Sequence, residues 1–324
     1  MSEKLSIAIP TYNRLAYLKE SMNSILSQTF QDFSIFVFDN ASDEPIEQEI
    51  EKFNDDRIHF IGNDKNIEAF GNFNRIINYP FNSEYVIIFH DDDTMHPKML
   101  ELEVAFLDAH KDVQFVVSDL NRGTDNKMHV FLSFAEDKIK SVIYKNKYEF
   151  IRAQMNWLRY SFPSAMYRKE ALKNAQMKQE FLHFWDMVFL AEISQKGPCA
   201  FLAVPLMNYR IHSGQHTERF KEGYKKGVKK LLSFLKENLS IPPEKRDEYL
   251  FRKHAVNSLL RACAHVNSGL FESVQFLKES RREKLLQWRD FQYIDARGIV
   301  SILSIVFKSR KIIDTARWLR NLFQ

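Results

Sequence analysis

The chain has 324 residues, 45% of them hydrophobic and 27% charged, which suits one large domain with an appendage, or two domains, and excludes a disordered chain. Its net charge of +4 does not argue for nucleic acid, and no nucleic-acid partner is expected. Two cysteines, Cys199 and Cys263, exclude a disulfide framework and a Cys-based metal site; with no signal-like segment at the start and no apolar run of the roughly 18 residues a membrane span needs, a cytoplasmic location is expected.

Residues 4–10 read as a short strand closed by Pro10, with Thr11, Tyr12, Asn13 and Arg14 in the loop after it. A helix follows, because Leu18, Met22, Ile25 and Leu26 recur at the spacing of one buried helical face. Residues 33–38 form a second strand that ends in Asp39, a Glu-rich helix comes next, and residues 57–61 form a third strand ahead of Asn63 and Asn66. Residues 69–77 read as a helix with Phe70, Phe73 and Ile77 on one face. Residues 85–89 are a continuous apolar run, the pattern of a strand buried on both faces of a mainly parallel sheet, and they stop abruptly at His90, Asp91, Asp92 and Asp93. Strands alternating with helices at this spacing imply βαβ units, so the loops after the first, second and fourth strands gather on one edge, where ligands bind in open α/β sheets. Three adjacent carboxylates repel one another unless a cation joins them, and hard oxygen donors suit Mg2+ or Mn2+. The plainer alternative is a solvated acidic turn.

Further on, residues 113–118 read as a fifth strand, 121–140 as a polar unpatterned loop, and 148–158 as a helix. From residue 219 the chain turns helical and basic, with a break at Pro242 and Pro243, a packed helix over 249–266 and an amphipathic stretch over 281–289. Residues 308–323 place Ile312, Ala316, Leu319 and Phe323 on one stripe, with Arg310, Arg317 and Arg320 largely off it. Such a helix either lies in an anionic membrane interface or packs on the rest of the protein.

Four blocks in order, residues 7–14, 24–30, 38–43 and 89–93, together resemble the family-2 glycosyltransferases of the GT-A fold, over roughly residues 4–215. The resemblance implies a catalytic domain over 1–218 and a helical region over 219–324. It also implies an inverting, metal-dependent transfer from a nucleotide-sugar, a UDP-sugar, to a glycan or lipid-linked acceptor, of the kind used in bacterial surface polysaccharide synthesis; a place peripheral to the inner face of the membrane follows only from the interface reading of residues 308–323. By the same resemblance Pro10, Thr11, Tyr12, Arg14, Asp39, Asn66, Asn72, Asp91, Asp92 and Arg210 contact the donor. Asp92, Asp93 and His212 hold Mn2+ or Mg2+, and Asp186 is the catalytic base. Three positions depart from the family pattern: His90 stands at the first acid of the acidic motif, Glu68 where a glycine usually follows Asn66, and Trp185 where an acid usually precedes Asp186. The His90 and Trp185 departures keep open a nucleotide-sugar-binding module without catalysis. A nucleotidyltransferase shares the α/β plan, but the chain lacks the Gly-rich, Lys-bearing phosphate loop expected of it.

Overall fold

The structure, a computed structural model, describes residues 3–124, 130–131, 133–155, 162–212, 223–238, 245–265, 270–283, 285–286, 290, 292, 294, 298 and 301–302. Among these the chain divides into two compact units, one made of residues 1–150, 159–177 and 189–212, the other of 151–158, 178–188 and 213–324.

The first unit contains the sheet. β1 (Glu3–Thr11), β2 (Phe33–Asp39), β3 (Ile58–Gly62) and β4 (Ser83–Ile88) form a parallel block in the order β3-β2-β1-β4. The apolar runs of β1, β2 and β4 are buried on both faces, as covered parallel strands require, while β3, at the end of the order, is only partly covered. The register sets Thr11 opposite Asp39 and Ala8 opposite Ile88, so the loops after β1, β2 and β4 open on one edge. α1 (Leu15–Leu26) buries Leu18, Met22 and Ile25; Leu26, at the margin of that stripe, is only partly covered. α2 (Ile46–Glu51) and α3 (Glu68–Ile77) complete the alternation.

Beyond β4 the structure differs from what periodicity suggested. β5 (Thr94–Met95) and α4 (Met99–Ala109) follow the acids, and β6 runs from Phe115 to Thr124 instead of ending at Ser118. After β7 (Ser141–Tyr144), α5 (Lys147–Met155), β8 (Ala165–Arg168), α6 (Lys169–Leu172) and α7 (Trp185–Ile193) comes β9 (Cys199–Ile211), a thirteen-residue strand. β9 pairs in parallel with β6 and antiparallel with β5 and β7. The β6–β9 register slips around Asp119, which sits opposite Pro205; a proline has no N–H for a ladder, so it falls at the irregularity. Residues 121–124 therefore belong to a strand because β9 reaches them, not because of their own pattern.

The second unit is helical: with residues 151–155 of α5 and 178–188, which hold the start of α7, it contains α8 (Tyr224–Glu237), α9 (Lys245–His265) and α10 (Leu270–Arg282). α8 buries Val228, Leu231, Leu232, Phe234 and Leu235, and α9 buries Ala255, Val256, Leu259, Leu260 and Cys263. α9 begins at Lys245, ahead of the expected 249, and α10 ends where the stretch 281–289 was expected to start. Pro242, Pro243, residues 213–216 and the basic amphipathic segment 308–323 lie outside the described residues. Among the described residues no helix is long and apolar enough to cross a membrane.

Candidate donor and metal site

The backbone leaves β4 at Ile88 and turns Asp91, Asp92 and Asp93 inward, so that all three carboxylates are buried. Burying like charges together is costly unless they are paired or neutralised, and the surrounding loops supply partners. Thr11 Oγ1 donates to Asp91 Oδ2 at 2.8 Å. Arg14 Nη1 lies 3.2 Å from Asp91 Oδ1 and 2.9 Å from Asp92 Oδ2, and His212 Nε2 lies 2.9 Å from the same Asp92 oxygen. The Arg210 backbone N–H donates to Asp93 Oδ1 at 2.9 Å, while its Nε donates to the Asp92 carbonyl at 2.8 Å and its Nη2 to Glu20.

These partners do not fully offset the crowding. Burial, and then the neighbouring charge of Asp92, push Asp91 up to about 7 against the pull of Arg14 and Thr11. The same two causes hold Asp93 well above the ordinary carboxylate range, and among the described residues its buried Oδ2 has no hydrogen-bond partner. His90 Nδ1 stands 3.8 Å from that oxygen. One atom each from His90, Asp92 and Asp93 lies within 4.8 Å of the others. The orphaned Asp93 oxygen, the Asp92 carboxylate and the His90 imidazole fit a divalent cation, and an oxygen-rich set with one nitrogen suits Mn2+ or Mg2+. His90 packs edge-on to Phe73 and tilted against Phe162, and its burial lowers its pKa, favouring the neutral imidazole that metals bind.

Around this cluster the loop after β1 is tied to the loop after β2. The Asn13 N–H donates to Ser42 Oγ at 2.8 Å, and Asn13 Oδ1 accepts from the Asp43 N–H at 2.8 Å, with Asn13 at a left-handed φ of 51. Asp39, buried at the end of β2, accepts from the Ser42 N–H at 3.1 Å and from its hydroxyl. Pro10 lies in β1 opposite Phe38, and Tyr12 is 40% exposed, a ring open to a stacking partner. Arg14 is the N-cap of α1 but offers no side-chain cap; the Leu15 N–H is instead satisfied by Glu44 Oε2 at 2.8 Å, which leaves the guanidinium for the acids.

Two residues expected at the donor, Asn72 and Arg210, are buried among protein partners. Asn72 is buried, with Nδ2 donating to the Phe38 carbonyl at 3.0 Å and Oδ1 accepting from Asn63 at 3.3 Å, so it supports the end of β2. Arg210 is buried inside the cluster, its guanidinium over the Tyr17 ring at 4.8 Å, and it braces the acid loop from β9. Asn66 Oδ1 accepts from Asn40 Nδ2 at 2.9 Å and from the Glu68 N–H at 2.8 Å. Glu68 has φ 63, the backbone region that makes glycine the easier residue at this position.

Asp186 opens α7, its Oδ1 accepting from the Met187 N–H at 2.7 Å. The carboxyl keeps some exposure, yet protein surrounds most of it; that desolvation raises its pKa to about 6, against the downward pull of the backbone N–H.

Periodicity on the apolar face hid a second, polar face of α1. Ser21 Oγ donates to the His90 carbonyl at 3.2 Å, and Ser24 Oγ accepts from the Met95 N–H at 3.0 Å. Gln28, just past the end of α1, donates to the His96 carbonyl at 2.8 Å and accepts from the Leu100 N–H at 3.1 Å. Tyr17, under Arg210 and 4.7 Å from the His212 ring, completes a run at i, i+4, i+7 and i+11 that grips the acid loop. Polar residues at that helical spacing, directly after a ligand loop, were the available signal.

The model for Glycosyl transferase family 2 matches residues 6–175, just over half of the chain. MJ1057 of Methanocaldococcus jannaschii, an uncharacterized glycosyltransferase, is 29% identical over 189 residues, which cover 57% of this chain and 62% of that protein. The chain thus spans less than two thirds of that relative's length. S. aureus TarS 1–349 superposes with a TM-score of 0.58 at 16% identity, over 97% of this chain and 91% of the other, and TarS 1–349 has also been solved with UDP-GlcNAc. The mannosyltransferase PcManGT from Pyrobaculum calidifontis, in complex with GDP-Man and Mn2+, superposes with a TM-score of 0.55 at 13% identity, over 96% and 89%. At these identities the structural likeness speaks for the fold.

Proposed function

The chain belongs to glycosyl transferase family 2, and from that membership we propose that it moves a sugar from a nucleotide-sugar donor, a UDP-sugar, to a hydroxyl of a glycan or lipid-linked acceptor with inversion. One observation carries this reading: three buried carboxylates at the end of β4, one with an orphaned oxygen, are joined by hydrogen bonds to the loop after β1. The UDP-GlcNAc complex of TarS and the GDP-Man and Mn2+ complex of PcManGT support the donor class and the ion.

In this mechanism Tyr12 stacks on the base, while Pro10, Thr11 and Asp39 line the nucleoside side and Asn66 the loop beside it. Arg14, Asp91 and Asp92 face the diphosphate. Asp92 and Asp93, with His212 or His90, would hold Mn2+ or Mg2+, which when bound neutralises the charge of the departing diphosphate. Asp186 takes the proton from the acceptor hydroxyl as that oxygen bonds to the anomeric carbon, and the bond from that carbon to the diphosphate oxygen breaks. Attack and departure on opposite faces invert the configuration. For a lipid-linked acceptor, the basic amphipathic segment 308–323 is suited to hold the enzyme at an anionic membrane surface.

The test is calorimetric titration with UDP and a panel of UDP-sugars, with and without Mn2+, followed by NMR of the product. Mn2+-dependent binding, donor consumption and an inverted anomeric centre are expected. A chain that binds UDP but never consumes donor, even by slow hydrolysis, is a binding module, and a retained anomeric centre overturns the single displacement.

A further inference from the structure

Four residues ahead of Asp186, Leu182 adopts φ 53 and ψ −119 inside the 3-10 stretch Gln179–Phe184 that runs directly into α7. A branched apolar residue is rarely found at positive φ, and such strain persists only where the surroundings over-determine it. Those surroundings are α8. Gly223, its N-cap at φ 85, sits where a Cβ would stand 3.2 Å from Leu182 Cδ1. One turn further, Gly227 faces the Phe184 ring so closely that a Cβ would lie 3.1 Å from Cδ2, 3.3 Å from Cε2 and 3.4 Å from the Phe181 carbonyl oxygen. The Phe181 ring meets Phe234 edge-on at 5.6 Å, and Phe184 tilts against Tyr224 at 5.3 Å. Glycine inside a helix weakens it relative to alanine; here its use is the close approach of the 181–184 turn. Phe184, two residues ahead of Asp186, therefore faces α8.

We propose that α8 is a positioning element for the reaction: Gly223 and Gly227 let it clamp the strained 181–184 turn, which fixes the direction in which the first turn of α7 presents the Asp186 carboxylate. The inference rests on the reading of Asp186 as the base. Gly223, Gly227, Phe181 and Phe184 are positioning residues that act through Asp186. Misplacing a reacting group by about 1 Å costs on the order of 10²-fold in rate, so small changes of volume at Gly227 register in turnover before they register in folding.

The experiment uses the full chain and compares Gly227→Val, the milder Gly227→Ala, Gly227→Val combined with Phe184→Leu, and Asp186→Asn. Gly227→Val is expected to lower kcat about tenfold or more, to leave donor KM and UDP affinity within about twofold, and to displace the acid limb of the kcat–pH profile. Gly227→Ala is expected to lower kcat by a smaller factor while its Tm holds or rises, since alanine favours the helix. Phe184→Leu makes room beside residue 227, so the double variant is expected to regain most of the lost turnover. Should Gly227→Val fail to fold, Gly227→Ala decides the matter by the same split between kcat and Tm. Wild-type kcat and an unmoved acid limb in the folded Gly227 variants, with Asp186→Asn inactive, overturn the clamp alone. An absence of rescue in the double variant overturns it as well. Full transfer by Asp186→Asn overturns the reading of the base, and the clamp with it.

Discussion

Residues 90–93 and residues 181–186 both bring carboxylates to a loop or helix start, but they are held by different forces. The first group is fixed by directed polar contacts: Thr11, Arg14, Arg210 and His212 each meet a defined atom of the acid loop, and Ser21 holds its backbone. The second is fixed by volume, with Leu182, Phe181 and Phe184 pressed against Gly223, Gly227, Tyr224 and Phe234. A polar cage is sensitive to the loss of a charge at constant shape, because each lost partner leaves a buried group unpaired. A packed turn is sensitive to a methyl group at constant charge. The two carboxylate environments therefore fail under different substitutions, and that is how they can be told apart.

The largest effect is expected from Asp92→Asn, which keeps shape but removes the charge met by Arg14 and His212. Mn2+ affinity, read by electron paramagnetic resonance, and sugar transfer should both fall, transfer by roughly 10³-fold or more. Near-normal, metal-stimulated transfer would remove Asp92 from the metal site.

Asp186→Asn should lower kcat by about 10²-fold or more with donor affinity intact, the scale of a lost general base. A matching loss of donor binding would give the residue a structural or metal role instead. Wild-type turnover should also follow the ionisation of this group: burial raises its pKa to about 6, the base works only when ionised, and kcat should climb as pH rises through that value. A flat profile from pH 5 to 7 would count against it.

Arg210→Gln removes the guanidinium that joins the Asp92 carbonyl to Glu20 and lies over Tyr17. Loss of a buried charged partner costs about 3 kcal/mol or more, so denaturant unfolding should shift to lower concentration and Mn2+ affinity should weaken. Unchanged stability together with lost UDP affinity would return Arg210 to direct donor contact.

The smallest effect tests a buried acid with little polar support. Glu103, on α4, is fully buried, and desolvation holds its pKa well above the ordinary value against the weaker pull of the Ser118 hydroxyl. A carboxyl raised in the folded state stabilises the fold fully only below its unfolded pKa, near 4.5, and that contribution is lost as pH rises through the folded value. Glu103→Met should therefore raise stability by about 1–2 kcal/mol near neutral pH and flatten the decline of Tm as pH rises above 4.5. An equal slope in the variant would mean the carboxyl is satisfied in solution.

By itself the sequence determined the parallel block. The apolar run ending in Ile88 and Phe89, the stripe of Leu18, Met22 and Ile25, and the acids after them each follow from spacing over a few residues, where side-chain period and backbone conformation are directly coupled. The resemblance also picked out Thr11, Arg14, Asp91, Asp92, Asp93, Arg210 and His212, which the structure brings together. Only the tertiary structure decided how they are joined. β9 is a strand because β6 and β5 pair with it, and Pro205 is tolerated because the ladder slips there. The bond from the Arg210 N–H to Asp93 spans 117 residues, and no local period reports a partner that distant. The polar face of α1, the left-handed Glu68 and the glycines facing Leu182 and Phe184 share that origin. Each is a local departure from propensity that becomes favourable only once a remote segment packs against it.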